Sequence, residues 1–256
     1  MIDTNLSELL NDRYQRYNVP GYIDEDPIQI PHLFSSREDI EIAAFLSASI
    51  AWGLRKTIIR NGLRLMELMD MAPYDFVRHA GKGDWRTFEG FVHRTFNGTD
   101  CVFFLQALQN IYRNHQGLEA VFNRGFLQSG DIAGTLQYFR EVMLEVPHVH
   151  RSEKHVADVG RKATAKRLNM FLRWMVRTDN QGVDFGLWKH IPASALMLPL
   201  DVHTGNVGRA IGVLQRQQND WQAVEEITDF LRLLDPNDPV KYDFALFGMG
   251  LNKELK

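Results

Sequence analysis

The chain has 256 residues, 45% hydrophobic and 24% charged, enough to bury a full core as one large domain or two small lobes. Its net charge of −3 and pI of about 6.3 argue against a protein that coats nucleic acid non-specifically, while leaving room for a local basic face. A lone Cys101 excludes an internal disulfide framework and a four-cysteine metal site. No window nears the ~20 apolar residues of a membrane span, and the start "MIDTNLSELLNDRYQRYN" has no basic-then-apolar leader, so a cytoplasmic protein is expected.

Apolar residues recur at helical spacing nearly throughout and period-two alternation is scarce, which predicts an all-α fold. In chain order, Ser35 or Ser36 caps a helix whose stripe is Ile40, Ala43, Ala44, Leu46, Ser47 and Ile50; it breaks near Gly53 and resumes at Lys56. A short helix over "APYDFVRHA" follows, then a longer one over "TDCVFFLQALQNIYRNH" capped by Thr99 or Asp100, and another opened by Asp131. Residues 147–164 read as a loop with a short turn. Beyond it come a helix over "AKRLNMFLRWMVRTD", a linker, a helix opened by Asp201, a helix over "DWQAVEEITDFLRLLD" and a final helical tail. A first lobe over about 40–146 and a second made of 1–39 with 147–256 are expected, with no internal repeat.

Asp201 follows "LMLPL" and precedes "VHTGNVGRAIGV", the position of a helix N-cap. A carboxylate there accepts the orphan amides of the first turn. It is also held ionised and rigid, able to stabilise a developing positive charge or relay a proton. A second reactive group decides between these roles, and Lys166 supplies one at the start of the helix on which Leu168, Phe171, Leu172 and Met175 face inward. A positive helix end, Arg167 next door and partial burial each push a lysine toward the amine, the form a nucleophile requires.

The string "PLDVHTGNVGRAIGV" resembles a segment of the helix-hairpin-helix DNA glycosylase superfamily, the clan of endonuclease III and the adenine and 8-oxoguanine glycosylases. Asp201, His203, Val207, Arg209 and Gly212 keep its shape, with Asn206 where an arginine is common. The tail "DPVKYDFALFGMG" is similar to that superfamily's C-terminal helix, and "EIAAFLSASIAWGLRKTIIRNGLRLM" to its first core helix. Residues 166–177, "KRLNMFLRWMVR", are also similar to the recurring string of a bacterial family of uncharacterised proteins. The resemblance to the glycosylases implies a two-lobed helical fold and a hairpin whose backbone amides grip a DNA phosphate. Here "DVGRKATA" is a divergent hairpin, with no Pro and a single Gly. It also implies a lysine that attacks the sugar. Lys162 fits the literal Gly-x-Lys string; Lys166 fits the helical periodicity, because counting from Lys162 would bury Lys166 and Arg167. The 35-residue separation of Lys166 from Asp201 exceeds that of endonuclease III and is closer to that of archaeal 8-oxoguanine glycosylases.

On that resemblance the partner is double-stranded DNA with a flipped, damaged base, oxidised guanine being favoured, and the protein acts as a monomer with no cofactor. Trp52, Ser47, Trp174, Phe244 and Phe247 are the candidates to wall or address the base, although helically spaced aromatics usually pack. Arg55, Lys56, Arg167, His203 and Arg209 are the candidates for the DNA backbone, against a solvated basic face as the ordinary alternative. His148, His150 and His155 match no metal-site spacing, so no metal is expected. Two other readings stay open. One is a DNA- or RNA-binding protein with the glycosylase fold and no chemistry, and the other a helical scaffold in which Asp201 is only a cap.

Overall fold

The computed structural model describes residues 4–254 and is all-α apart from one two-stranded ribbon. The chain divides into two compact units, one of residues up to Asp24 with Val159 onward, the other Glu25–Asp158.

Helix α1 (Thr4–Tyr17) belongs to the first of these. The second unit carries α2 (Arg37–Ser49), α3 (Arg55–Glu67), α4 (Pro73–His79), the single turn α5 (Lys82–Trp85), strands β1 (Val92–His93) and β2 (Phe96–Asn97), then α6 (Gly98–Asn114), α7 (Leu118–Ser129) and α8 (Ile132–Met143). Ser36 caps α2 by accepting the Asp39 amide, and the break expected at Gly53 falls between α2 and α3. Packed rings fill the core of this unit. Phe45 lies 5.8 Å from Phe104 and 5.6 Å from Phe139, and Phe122 stacks on Phe139 at 4.4 Å.

One expected cap is displaced. Neither Thr99 nor Asp100 caps α6; Asn97 does, accepting the Asp100 amide while the Asp100 carboxylate accepts the Asn97 N–H. A reciprocal box satisfies two orphan donors where a lone cap satisfies one, which favours the earlier start. Gly98 is required at the first position of this helix. A Cβ there would lie 2.1 Å from the carbonyl oxygen of Glu89 and 2.4 Å from its carbon, both backbone atoms. Gly98→Ala is therefore expected to destabilise the protein by about 3 kcal/mol, the upper end of overpacking costs, read as a lower urea midpoint at constant m-value.

The first unit is completed by α9 (Lys166–Val176), α10 (Val202–Ala210), α11 (Trp221–Leu234) and α12 (Tyr242–Leu251). Short 3-10 segments at His150–His155 and Val159–Arg161 precede α9, where a loop with a turn was expected. Every residue of α9 from Leu168 to Val176 is buried, not only the apolar stripe. The polar residues on its remaining faces, Asn169 and Arg173, are therefore buried too, and they position the site.

Candidate active site

The first turn of α9 is entered through Ala165 in the left-handed region, φ 48°, three residues after Lys162 at φ 65°. Side-chain-bearing residues adopt this conformation at a cost, and hold it only where the surroundings over-determine it. Here the Lys162 carbonyl is pinned by the Trp221 N–H at 3.0 Å, and the buried Ala165 delivers Lys166 to the first helical position. No side chain caps α9.

Asp201 caps α10 as the sequence predicts, its Oδ1 accepting the Thr204 N–H at 3.0 Å. That leaves Oδ2 for Lys166, whose Nζ lies 3.7 Å away; the two side chains are 24% and 22% exposed. Two helix N-termini, each a positive dipole end, thus come within one lysine side chain of each other.

A third charged group lies on α12. Asp243 is buried and paired with Arg173, about two turns further along α9 from Lys166. Burial pushes its carboxyl up to about 6; Arg173 and Lys166 pull it down and Asp201 pushes it up, so it feels both members of the pair. Arg173 also donates to Asp184 at 3.2 Å, and Asp184 accepts from Arg177 at 2.9 Å. Arg177 continues to Asp179 at 2.6 Å, to Asp238 at 2.9 Å and to the Tyr14 hydroxyl at 2.7 Å. Lys166, Arg173 and Arg177 therefore run down one side of α9, from a half-open pair at its first residue to a fully buried ion network at its last turn.

The other expected residues are distributed as follows. Lys162 is exposed, and its charge is felt by Asp220, whose carboxyl is held down to about 2, chiefly by the hydrogen bond from Arg216. Arg167 is half-buried, and desolvation lowers its pKa to about 10. Arg209 braces the segment after α10, donating to the Arg216 carbonyl at 2.8 Å and the Asn219 side chain at 2.6 Å. His203 is exposed and sits edge-on to Phe247 at 6.3 Å, beneath Gly250, where a Cβ would approach the histidine's own Cβ to 3.0 Å. Trp174 is fully buried, and Phe244 carries the Arg173 guanidinium over its face at 4.3 Å.

Ser47, Trp52, Arg55 and Lys56 belong to the other unit. Ser47 is fully buried in α2, its hydroxyl turned toward Gly62 of α3. Trp52 is half-buried, edge-on to His93 at 4.9 Å and stacked on His155 at 5.9 Å. Arg55 opens α3 and Lys56 is exposed beside it. His150 and His148 both approach Glu153, at 2.8 and 3.6 Å, whereas His155 faces Asp100 at 3.4 Å. Among the described residues no group of three or more potential ligands is placed to hold a metal ion, and no helix is long and apolar enough to cross a membrane.

A family model described as a protein of unknown function (DUF2400) matches residues 26–252. The chain belongs to this family. No curated protein and no solved structure matches it. The matched residues take in the whole of α9, α10 and α12, and with them Lys166, Asp201, Arg173 and Asp243.

Asp243, Arg173 and Arg177 escape a reading that looks for nucleophiles and caps. Their signal is a charge inside an apolar helix: Asp243 interrupts "YDFALF", and Arg173 and Arg177 fall four apart in a helix too apolar to leave them solvated.

Proposed function

We propose that the chain is a DNA glycosylase with associated lyase activity, in which Lys166 is the nucleophile and Asp201 the carboxylate that serves it. The observation that carries this reading is the pair itself: an amine 3.7 Å from a carboxylate, each on the first turn of its own helix and each about one quarter exposed. An ordinary surface ion pair needs neither rigid origin nor partial burial. A nucleophile that must lose a proton before it attacks benefits from both.

The chemistry follows from the two groups. Lys166 gives up a proton and its amine attacks C1′ of the damaged nucleotide. The C1′–N bond breaks with its electron pair leaving on the base, which takes up a proton. Positive charge grows on the sugar as that bond breaks, and the Asp201 carboxylate stabilises it. Opening of the sugar ring at the C1′–O4′ bond converts the adduct to an imine. Loss of a C2′ proton then expels the 3′ phosphate, and water releases the chain from Lys166. The uncapped first turn of α9 favours a phosphate close to the amine. The damaged base must leave the stack to be reached, at a cost of a few kcal/mol, and oxidised guanine is the proposed substrate.

The test is borohydride reduction of the protein mixed with duplex DNA carrying either an abasic site or oxidised guanine. A covalent protein–DNA adduct from both substrates supports the reading. An adduct from neither, with salt-sensitive binding to the same duplexes, replaces it with a nucleic-acid-binding protein that does no chemistry.

A further inference from the structure

The exposed face of α3, in the unit Glu25–Asp158, carries charge that the protein itself does not compensate. The helix sequence RKTIIRNGLRLME holds four cations and one anion, Glu67, at its last residue. Ile58, Leu65 and Met66 are buried, so Lys56, Arg60 and Arg64 stand exposed at four-residue intervals on the opposite side. At about 1.5 Å per residue the row is about 12 Å long. Arg94 extends it. Its side chain lies over Gly53, just ahead of the helix, where a Cβ would come within 3.0 Å of the arginine Cδ. Arg94 is exposed too, and it holds a left-handed φ of 55° in the turn of the β1–β2 ribbon, a place that Gly or Asn takes at less cost.

Among the described residues, Lys56, Arg60, Arg64 and Arg94 make no hydrogen bond and no ion pair. Elsewhere in the same unit arginines meet carboxylates: Arg37 pairs with Glu41 at 3.1 Å, Arg140 with Glu153 at 3.0 Å and Arg151 with Asp100 at 3.1 Å. The row on α3 also runs against the electrostatics of its own helix. Like charges four residues apart repel, and Lys56 lies in the first turn, at the positive end of the dipole. A polyanion laid along the face relieves both.

We propose that the exposed face of α3, headed by Arg94, docks the phosphate backbone of duplex DNA. Each strand of a duplex advances about 3.4 Å per phosphate, so a rigid row of about 12 Å faces three or four of them. A single strand is the poorer fit, because α3 carries no aromatic ring on which bases could stack, and Trp52 is committed to His93 and His155. An acidic membrane is also the poorer fit, since the apolar side of α3 is buried within the unit and is not free to enter lipid. The contact is to phosphate and reads no base. The choice of DNA as the duplex rests on the reading of Lys166 and Asp201 given above; the row of charge does not.

The test uses undamaged duplex, so that neither base flipping nor Lys166 enters the readout. Binding of the full chain to a labelled duplex is followed by fluorescence anisotropy over a salt series, and log affinity is plotted against log salt. In Arg60→Gln/Arg64→Gln/Arg94→Gln the slope should shrink by about 2.7, or about 0.9 for each cation removed, with weaker binding at low salt. Arg60→Lys/Arg64→Lys/Arg94→Lys should keep the slope, because a point charge on phosphate suffices. Both variants should melt with the unmodified protein, having no polar partners to lose. An unchanged slope in the glutamine variant overturns the inference. So does tighter binding to duplex RNA than to DNA, and so does failure of the unmodified protein to bind duplex DNA, whether or not it binds phosphatidylserine vesicles. A reduced slope with no borohydride adduct keeps the docking face and removes the glycosylase; an adduct with an unchanged slope does the reverse.

Discussion

Lys166→Ala is expected to abolish the borohydride-trapped adduct, a loss of at least about a thousandfold, while leaving the protein folded. The two halves of that expectation have separate origins. A quarter-exposed pair at 3.7 Å contributes no more than about 1 kcal/mol to stability, so its removal is a small thermal shift. The adduct is another matter, since without the amine no imine forms. Lys162→Ala is the control within the same turn. Lys162 is exposed and its structural contribution is a backbone carbonyl bonded to Trp221, which alanine retains, so trapping should match the unmodified protein. Asp201→Asn separates cap from chemistry. An asparagine oxygen still accepts the Thr204 amide, so the helix start survives, whereas the carboxylate facing Lys166 is lost; trapping should fall with the melting temperature nearly unchanged. Equal trapping by Lys166→Ala and the unmodified protein would move the nucleophile elsewhere or remove it.

Much of this was legible in the sequence because helices advertise themselves through period and punctuation. Ser36, Asp131 and Asp201 each cap the helix that the sequence places behind them, and Gly53 marks the break between α2 and α3. The pairing of Lys166 with Asp201 was legible too, because both sit at helix starts, where side-chain direction follows from backbone position. What was hidden depends on tertiary partners. The Asn97 cap was hidden because Asn and Asp both cap, and only the chain's return past Glu89 fixes which residue begins α6. The ion network was hidden because Arg173 and Arg177 look solvated until α9 is known to be buried on every side. Asp243 lies 70 residues from Arg173 in sequence, a separation at which no local pattern links a carboxylate to its cation.

That network carries the largest stability effect expected in the protein. Arg177 is almost completely buried and bonds Asp179, Asp184 and Asp238 together with the Tyr14 hydroxyl. Burial opposes its charge, and the carboxylates of Asp184 and Asp238 more than offset that, so its pKa stands above the ordinary value. Arg177→Met keeps the volume and removes the cation, leaving buried carboxylates uncompensated, at a cost of about 3–5 kcal/mol at neutral pH. The pH dependence gives the sign. Burial opposes ionisation of Asp179, but hydrogen bonds from Asn18 and Arg177 more than offset it and hold its pKa below the usual range. Its stabilising contribution is therefore present above the unfolded carboxyl pKa of about 4 and lost as pH falls through the lower folded value. Asp238 is already raised by burial against the pull of Arg177. Without Arg177 the Asp179 and Asp238 carboxyls lose a group that holds them down and rise, and groups with raised folded pKa values favour folding at acid pH. The defect of Arg177→Met should accordingly shrink as pH is lowered toward about 4, seen as converging urea midpoints for the two proteins. A defect of constant size across that range would mean that lost packing, not uncompensated charge, is what Arg177 prevents.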